Sequence, residues 1–291
     1  MKPAPFEYFR PRTLHETLAL LDQYGSDAKP LAGGQSLIPA MNFRLATPSV
    51  LVDLNDVAEL GYIKDGSGTL SIGGMTRQRQ VERSPLVARG ASLITETMPF
   101  IAHPAIRNRG TIGGSLAHAD PAAELPAVMM ALSASFTVAS KSGTRDVPAQ
   151  KFFTGLFSTS VQPGELLTEI RVPADAGGCG YAFQEISRRL GDFALVGVAV
   201  AVQMNREGLC AGARIALLSV GDRPMLAEHA MKMLTGQQPS VDSIRAAADA
   251  AATKDIDPPS DIHASARYRR QLANVLTRRA LERAFMRAAP H

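Results

Sequence analysis

Two stretches decide the fold of this chain: Leu31-Ala32-Gly33-Gly34-Gln35-Ser36 and Asn108-Arg109-Gly110-Thr111-Ile112-Gly113-Gly114-Ser115. Each contains two adjacent glycines with hydroxyl side chains close by. Adjacent glycines can take positive φ and turn several N–H groups toward one point, and without a Cβ they let a phosphate approach the main chain. The hydroxyl groups of Ser36, Thr111 and Ser115 add further donors. The sequence therefore predicts two loops that hold a diphosphate from two sides.

The spacing of these glycines excludes two common nucleotide-binding patterns. Neither stretch matches the G-x-G-x-x-G of the Rossmann fold or the G-x-x-x-x-G-K-[ST] of the P-loop. A single Gly-Gly pair is usually only a turn, so the prediction depends on there being two of them. A third pair, Gly73-Gly74, follows a predicted strand and is interpreted as strand-end geometry. A dinucleotide held by the two loops must therefore lie in another fold.

Both stretches resemble those of the FAD-binding, or medium, subunits of the molybdenum hydroxylases, which include carbon monoxide dehydrogenase and xanthine dehydrogenase. The resemblance covers nearly the whole chain. It continues through residues 117–126 (AHADPAAELP) and 188–194 (RRLGDFA), and reaches Tyr268-Arg269 and Arg278-Arg279-Ala280. It implies an α+β fold, in which a vanillyl-alcohol oxidase/PCMH-type FAD-binding domain precedes a CO dehydrogenase flavoprotein-type C-terminal domain made of an antiparallel meander plus helices.

The resemblance also implies roles for individual residues. Residues 32–36 and 111–115 cradle the pyrophosphate of FAD, largely through main-chain N–H groups. Ile101 and Leu167 pack on the isoalloxazine ring, with plain core as the alternative for either residue.

Acidic and aromatic side chains are implied beside the flavin as well. Asp120 and Glu124 hydrogen-bond the ribityl chain or the pyrimidine edge, with an ordinary exposed helix position as the alternative for Glu124. The Gly191-Asp192-Phe193 loop approaches the flavin, and Phe193 is a candidate gate over the ring, with an apolar anchor as its alternative. The complete set of expected FAD-binding residues is Ala32, Gly33, Gly34, Gln35, Ser36, Leu37, Ile101, Ala102, Thr111, Ile112, Gly113, Gly114, Ser115, Ala117, Asp120, Glu124, Leu167 and Phe193.

No set of residues resembles a self-contained catalytic apparatus. The six histidines show no metal-binding spacing, and no nucleophile elbow is present. His118 and Asp120 are close enough in sequence for a metal site, but hydrogen bonding within a loop beside the cofactor is the favoured interpretation. The chemistry is therefore assigned to a bound redox cofactor, with no catalytic residue and no metal in this chain.

The cysteine count places other redox centres elsewhere. A [2Fe–2S] cluster takes four protein ligands, normally cysteines, and this chain has only Cys179 and Cys210. The resemblance implies a molybdopterin-binding large subunit that oxidises the substrate and a small subunit whose [2Fe–2S] clusters pass the electrons on. The FAD of this chain then delivers them to an external acceptor, which is a quinone, a cytochrome, oxygen or NAD. The assembly implied is a heterotrimer, doubled.

Composition and charge exclude other classes of protein. The 291 residues are 45% hydrophobic and 20% charged, as in an ordinary soluble globular protein. A net charge of +4 is too modest to indicate nucleic acid. The longest apolar run, Phe193 to Val202, is too short to span a membrane, and the start lacks the apolar core of a signal peptide. We expect a cytoplasmic protein without a membrane span.

The order of predicted elements suggests two domains. A capping box at Thr13 and Glu16 opens the first helix, and Val50 to Leu54 reads as a buried parallel strand. The clearest linker is Ala174 to Gly178. We therefore expect an FAD-binding domain over residues 1–175, with subdomains of about 1–55 and 56–175, and a C-terminal domain over residues 176–291. Its predicted strands are 180–186, 194–204 and 211–220, followed by helices over 225–234, 240–252 and 265–287.

Shorter elements are predicted within the first domain. We expect β pairs over residues 60–73 and 135–148, helices over residues 37–45, 76–81 and 85–98, and a loop over residues 99–109. A further helix is predicted over residues 121–132, with Asp120 as its N-cap and Pro121 at its first position.

Two other functions stay open. A stand-alone PCMH-type flavoprotein oxidase or reductase shares the fold, but no acid–base constellation is found in the C-terminal half. A non-enzymatic assembly protein that kept the fold is the third possibility. One departure from the family pattern concerns the acceptor: several relatives carry a Lys near the position of Gln184 or Glu185, and its absence puts NAD in doubt.

Overall fold

Parallel strands open the chain in the computed structural model, which describes residues 2–66, 68–174 and 178–288. The first elements are β1 (Glu7–Phe9), α1 (Leu14–Tyr24), β2 (Ala28–Leu31), α2 (Leu37–Asn42) and β3 (Val50–Asp53). The strand order is β1-β3-β2, and both pairings are parallel. All four residues of β3 are buried, which confirms the predicted buried parallel strand.

Helix α1 begins at the capping box that the sequence predicts. Thr13 Oγ1 accepts a hydrogen bond from Glu16 N at 3.1 Å, and Glu16 Oε2 accepts one from Thr13 N at 3.3 Å. Leu18 and Leu21 then pack into the same core as the central strand β3. The two reciprocal bonds satisfy donors that a helix start would otherwise leave without partners.

An antiparallel sheet with helices against it follows. Its elements are β4 (Ile63–Gly66), β5 (Thr69–Gly73), α3 (Gln78–Arg83), α4 (Pro85–Gly90), α5 (Ser92–Thr97), α6 (Pro104–Arg107), α7 (Ile112–His118), α8 (Glu124–Ala131), β6 (Ser135–Ser140), β7 (Gly143–Pro148), α9 (Ala149–Phe152), β8 (Phe153–Gly155), β9 (Ser158–Thr159) and β10 (Leu166–Pro173). The strand order is β4-β5-β10-β6-β7. The β pairs predicted for residues 60–73 and 135–148 are confirmed.

The C-terminal part is the predicted antiparallel meander with helices. Its elements are β11 (Cys179–Ser187), β12 (Ala194–Met204), β13 (Cys210–Leu218), β14 (Met225–Leu226), α10 (Glu228–Leu234), α11 (Val241–Thr253) and α12 (Ala266–Ala288), and the strands pair in chain order. Helix α12 lies directly on β11. The closeness is shown at Gly180, where an added Cβ would come within 1.9 Å of Ala284 O. A glycine is therefore required where the helix crosses the strand.

One predicted helix start near the glycine stretches is wrong. The sequence predicts a helix from Pro121 with Asp120 as its N-cap, whereas α8 begins at Glu124 after Ala123. Asp120 Oδ1 accepts a hydrogen bond from Ala122 N at 2.9 Å. An Asp side chain that bonds two residues ahead makes a turn, which keeps residues 120–123 out of the helix.

Other boundaries differ for reasons of backbone geometry. The helix predicted over residues 37–45 ends at Asn42, because Arg44 takes a left-handed φ of 59°. The helix predicted over residues 85–98 is broken at Ala91, whose φ of −156° separates α4 from α5.

Three further corrections concern shorter segments. The loop predicted over residues 99–109 contains the short helix α6. Met225, predicted to open a helix, instead pairs with β13 in the edge strand β14, so that α10 starts at Glu228. The helix predicted over residues 76–81 starts and ends two residues later.

The C-terminal sheet packs against the helices of the N-terminal half. Phe183 and Leu218 belong to the same hydrophobic core as α8. Glu96 of α5 adds a polar bridge, since its carboxylate accepts a hydrogen bond from Phe183 N at 3.3 Å and pairs with Arg287 at 2.5 Å. In the loop between β11 and β12, Gly191 lies beside His103 at the start of α6, since a Cβ there would come within 2.8 Å of His103 Cε1.

The predicted boundary between the domains falls at residue 175, and residues 175–177 lie outside the described residues, so the boundary stays a prediction. Across residues 2–66, 68–174 and 178–288, no helix combines the length and the apolar character needed to cross a membrane.

Candidate dinucleotide-binding site

The two glycine stretches lie in direct backbone contact. A Cβ at Gly33 would sit 2.5 Å from Arg109 O and 2.7 Å from Gly110 Cα. A Cβ at Gly114 would come within 3.4 Å of the Ala32 Cβ. The contact is possible only because Gly33 has no side chain, so the two stretches form one cradle.

The second stretch is a helix start, not the loop that the sequence predicts. Gly113 and Gly114 occupy the first turn of α7, and Thr111 caps it by accepting a hydrogen bond from Gly114 N at 3.0 Å. Of the four glycines in the two pairs, Gly34 alone takes positive φ, at 72°. Gly113 is instead needed for close packing, because its Cβ would lie 2.5 Å from Gly74 O. Gly73-Gly74 is therefore the strand end on which this helix rests.

The N–H groups of the two stretches differ in their availability. Those of residues 112–115 already donate to Thr76 O, Gly74 O and the two oxygens of Thr111. Those of residues 33–36 donate to no acceptor within the part of the chain that the structure describes. Gln35 Nε2 donates to Gly33 O at 3.0 Å and braces this turn. The first stretch therefore supplies the free main-chain N–H donors. The second stretch supplies the opposite wall of the cradle and its hydroxyl groups.

A polar network holds the two stretches together. Asn55 Nδ2 donates to Ala32 O at 3.1 Å, and Asn55 Oδ1 accepts a hydrogen bond from Arg77 Nη2 at 2.5 Å. Arg77 Nη1 in turn donates to Arg109 O. One amide and one guanidinium thus bond the carbonyls of both stretches. No motif in the sequence marks these two residues, because their partners are distant along the chain.

Asp53 anchors this network at the end of β3. It accepts hydrogen bonds from Tyr8 Oη at 2.5 Å and from Asn55 N at 2.9 Å. Burial acts to raise the pKa of Asp53, but the bonds from Tyr8 and Asn55 outweigh it and hold the pKa below its ordinary value. The carboxylate therefore stays charged and fixes the orientation of the Asn55 amide.

The residues expected at the flavin ring lie in two environments. Ile101 and Leu167 are buried in the main hydrophobic core. Phe193 is 69% exposed, so its ring is not part of the hydrophobic core of the described residues. Gly191, with φ of 87°, passes over the 101–102 turn, since a Cβ there would lie 2.9 Å from Ala102 O. The loop of residues 188–193 thus covers that turn at Gly191, and the side chains of Leu190 and Phe193 are exposed on it.

Glu124 lies inside the protein, and the alternative of an exposed helix position is wrong. The residue is 7% exposed, and burial, with a smaller contribution from Asp120, raises its pKa to about 7. On β11, burial followed by the charge of Glu124 raises the pKa of Glu185 to about 8. Glu185 Oε2 is enclosed and has no hydrogen-bond partner among the described residues. Two carboxyl groups from the two halves of the chain therefore share one interior region.

His118 and Asp120 lie at the far end of α7. The His118 ring is tilted against that of Phe157 at a centroid distance of 5.1 Å. Burial, with a smaller contribution from Lys29, lowers the pKa of His118 against the opposing charge of Asp120. Within the described residues, no three side chains of His, Cys, Asp or Glu are grouped as metal ligands would be.

Contacts connect most of the expected residues into one region. Pro121 O accepts a hydrogen bond from Ser219 N at 2.9 Å, and Ser219 Oγ donates to Ala194 O at 2.8 Å. The turn before Glu124 is thereby placed beside the Phe193 loop. Leu37 opens α2 next to the first stretch, and Ala117 is exposed on α7. The region combines a glycine cradle with free N–H donors and buried acids, which fits a dinucleotide with a polar ring system.

Two protein-family models together match nearly the whole chain. Residues 4–175 match the FAD binding domain in molybdopterin dehydrogenase, and residues 181–284 match the CO dehydrogenase flavoprotein C-terminal domain. The carbon monoxide dehydrogenase medium chain of Afipia carboxidovorans is 42% identical over 291 residues, covering 99% of each chain. Subunit alpha of the 6-hydroxypseudooxynicotine dehydrogenase complex of Paenarthrobacter nicotinovorans is 43% identical, covering 100% of this chain and 98% of that one.

Solved structures show the same similarity. A chain of carbon monoxide dehydrogenase from Hydrogenophaga pseudoflava superposes with a TM-score of 0.96 at 41% identity, covering 99% of this chain and 100% of that one. A chain of quinoline 2-oxidoreductase from Pseudomonas putida 86 superposes with a TM-score of 0.93 at 40% identity, covering 99% of each. Both similarities extend over the N-terminal and C-terminal halves together.

Gly33→Ala tests whether the cradle binds the dinucleotide. The added Cβ pushes the first stretch away from Arg109 O, and we expect the affinity of the chain for added FAD to fall at least about tenfold, equivalent to about 1.4 kcal/mol. Gly212→Ala is the matched control, because nothing lies within 4 Å of its Cβ position. The measurement is a fluorescence titration with FAD. Equal affinities in the two variants would show that the cradle is not the binding site.

Glu185→Gln tests the buried acid pair through the pH dependence of stability. Because its folded-state pKa is raised to about 8, Glu185 stabilises the fold most below its unfolded pKa, and this contribution is lost as the pH rises toward 8. A glutamine does not ionise, so Glu185→Gln does not lose stability in this way as the pH rises. We expect the melting temperature of the wild type to fall further than that of Glu185→Gln between pH 5.5 and pH 8.5. Glu207→Gln, at an exposed turn, is the control, and equal falls in all three proteins would show that the pKa of Glu185 is not raised by burial in the fold.

Proposed function

The chain belongs to the FAD-binding subunits of the molybdenum hydroxylases, and we propose that it carries electrons from an iron–sulfur partner to an external acceptor. It is the flavoprotein subunit of an oxidoreductase, with FAD as its cofactor. Its fold is the PCMH-type FAD-binding domain followed by the CO dehydrogenase flavoprotein-type domain. The relatives are named as a medium chain and as a subunit of a complex, which supports partner chains for this protein too.

The observation that carries the proposal is a flavin cradle in a chain with too few ligands for iron–sulfur clusters. A [2Fe–2S] cluster takes four protein ligands, whereas the chain has two cysteines, of which Cys210 is buried in β13. The clusters therefore belong to a small partner subunit. The molybdenum cofactor and the substrate belong to a large one. We propose a cytoplasmic heterotrimer of these three chains, doubled.

The residues of this chain bind and orient the cofactor. FAD, when bound, supplies a ring system that accepts and releases electrons. The free N–H groups of residues 33–36 donate to its pyrophosphate, and the hydroxyl groups of Thr111 and Ser115 flank it. Asn55 and Arg77 keep both stretches at the separation that this requires.

The region between the two halves would hold the ring system. On this proposal the 101–102 turn and Leu167 form its apolar side, and Asp120 and Glu124 lie at its polar edge. Burial raises the pKa of Glu124 to about 7, so that near neutral pH the side chain can donate or accept a hydrogen bond there. Phe193, exposed on its loop, limits access of water to the ring.

NAD is the weakest of the proposed acceptors. Gln184 and Glu185 occupy the positions where the family resemblance implies a Lys in several relatives, and neither can offer a positive charge to an anionic dinucleotide. Glu185 is coupled to the charge of Glu124. An acceptor without phosphate groups, such as a quinone or oxygen, or a cytochrome, suits this environment better.

Native purification of a tagged chain tests the electron-transfer role. We expect two further polypeptides to co-purify, together with iron, molybdenum and one FAD per copy of the chain. Reduction of the flavin by substrate should require those partners. A chain that purifies alone with FAD and turns over a small molecule by itself would identify a stand-alone flavoenzyme instead.

Phe193→Ala tests the proposed gate. Removing the ring opens the flavin to solvent, and we expect the rate of flavin reoxidation by oxygen to rise several-fold while the affinity for FAD stays within about threefold. Leu190→Ala is the matched control, because Leu190 is 72% exposed on the same loop. Stopped-flow absorbance at 450 nm gives the rates. Identical reoxidation rates for the wild type and Phe193→Ala would show that the Phe193 side chain does not shield the flavin.

A further inference from the structure

Arg107 is a buried cation that the roles described above leave unused. It ends α6 and is 5% exposed. A buried charge is costly unless it is paired and hydrogen-bonded, so its partners indicate what it does. Among the described residues, its hydrogen-bond partners lie on two segments, the 101–102 turn and α3.

The guanidinium group joins a turn to a carboxylate. Nη1 donates to Ile101 O at 2.8 Å and to Ala102 O at 3.1 Å. Nε and Nη2 donate to the two carboxylate oxygens of Glu82 at 3.1 and 3.2 Å. A planar fork can bond a carboxylate with two donors and two carbonyls with a third, whereas a lysine ammonium is a single point of charge. The geometry is therefore specific for Arg.

The turn that Arg107 holds has an unfavourable backbone. Ala102 takes a φ of 46°, in the left-handed region that residues with a Cβ seldom occupy. Such a conformation persists where the surrounding structure fixes it. Arg107 bonds the carbonyls of the two peptide groups that flank the Cα of Ala102, and Glu82 orients Arg107.

The turn carries the loop above it. Gly191 lies so close that a Cβ would come within 2.9 Å of Ala102 O and 2.8 Å of His103 Cε1. Phe193 follows two residues later and is exposed. A shift of Ala102 O toward the loop therefore displaces Gly191 and the residues after it, since even a Cβ has no room between them.

We propose that Arg107 is a positioning residue of the flavin site. With Glu82 it fixes the Ile101–Ala102 turn, and the turn sets the height of the loop of residues 188–193 and of Phe193 over the ring. The inference rests on the proposed function for the identity of the bound ring, whereas the link from Arg107 to the loop is independent of it.

The test compares Arg107→Lys with Arg79→Met. Arg107→Lys keeps the charge but loses the fork. Arg79 pairs with the same Glu82 through Nη1 at 2.7 Å and has no bond to the 101–102 turn within the described residues, so it is the matched control. We expect Arg107→Lys to weaken FAD binding about tenfold and to change the fine structure of the bound flavin's visible absorption. Arg79→Met should leave both unchanged.

Two additions keep the outcome interpretable. Glu82→Gln, a milder change, should move affinity and spectrum in the same direction by less, and it replaces Arg107→Lys where that variant does not fold. Amide hydrogen exchange of the chain without flavin should rise at residues 188–193 in Arg107→Lys and not in Arg79→Met. Unchanged affinity, spectrum and exchange in folded variants would overturn the proposal. Failure of the wild type to bind FAD would overturn the proposed function alone, because the exchange experiment still decides the role of Arg107.

Discussion

The structure depends on one close backbone contact, between Gly33 and the main chain of Arg109 and Gly110. Its short distances leave no room for a Cβ, so this contact sets how near the parallel sheet can approach α7. Asn55 and Arg77 hold the contact by bonding a carbonyl on each side. Asp53 keeps the Asn55 amide oriented, because its Oδ1 accepts a hydrogen bond from Asn55 Nδ2. A cradle with free N–H donors follows from this arrangement, because the backbone of the first stretch is held without using its own donors.

The C-terminal half completes the site from the other side. Glu96 pairs with Arg287 and accepts a hydrogen bond from β11, which fixes the meander against the helices of the N-terminal half. The same packing brings Glu185 toward Glu124 and lays the Gly191 loop over the 101–102 turn. A ring system between the two halves would therefore meet an apolar turn, a pair of buried acids and an exposed aromatic ring. In the proposed function, these contacts hold the bound cofactor in the fixed orientation that electron transfer needs.

Local patterns in the sequence identified much of the fold. Residues close in sequence and the spacing of apolar residues determine several elements, and both can be read from a sequence directly. These elements are the capping box at Thr13, the central strand β3 and the C-terminal meander. The two glycine pairs are also local patterns, so the sequence alone identifies them. The start of α8 was missed because the Asp120 side chain bonds Ala122 N and makes a turn instead of a cap.

Long-range contacts could not be read from the sequence. Asn55 and Arg77 carry no motif, and their importance depends on carbonyls that come near only after folding. Whether the glycine N–H groups are free also depends on tertiary partners, such as Gly74 O for Gly113. The burial of Glu124 and its coupling to Glu185 arise from packing between the two halves. Local patterns alone predict only that the chain binds a diphosphate. The resemblance to the molybdenum hydroxylase flavoproteins adds the identity of the cofactor and the function.

The most direct test of the account is the stoichiometry of FAD on the chain expressed by itself. The cradle, its free donors and its supporting network all lie within this one polypeptide. The account therefore predicts that a flavin-free preparation takes up one FAD per chain in an absorbance titration, with a vibronically structured band near 450 nm. A folded chain, judged by circular dichroism, that takes up no FAD would contradict it.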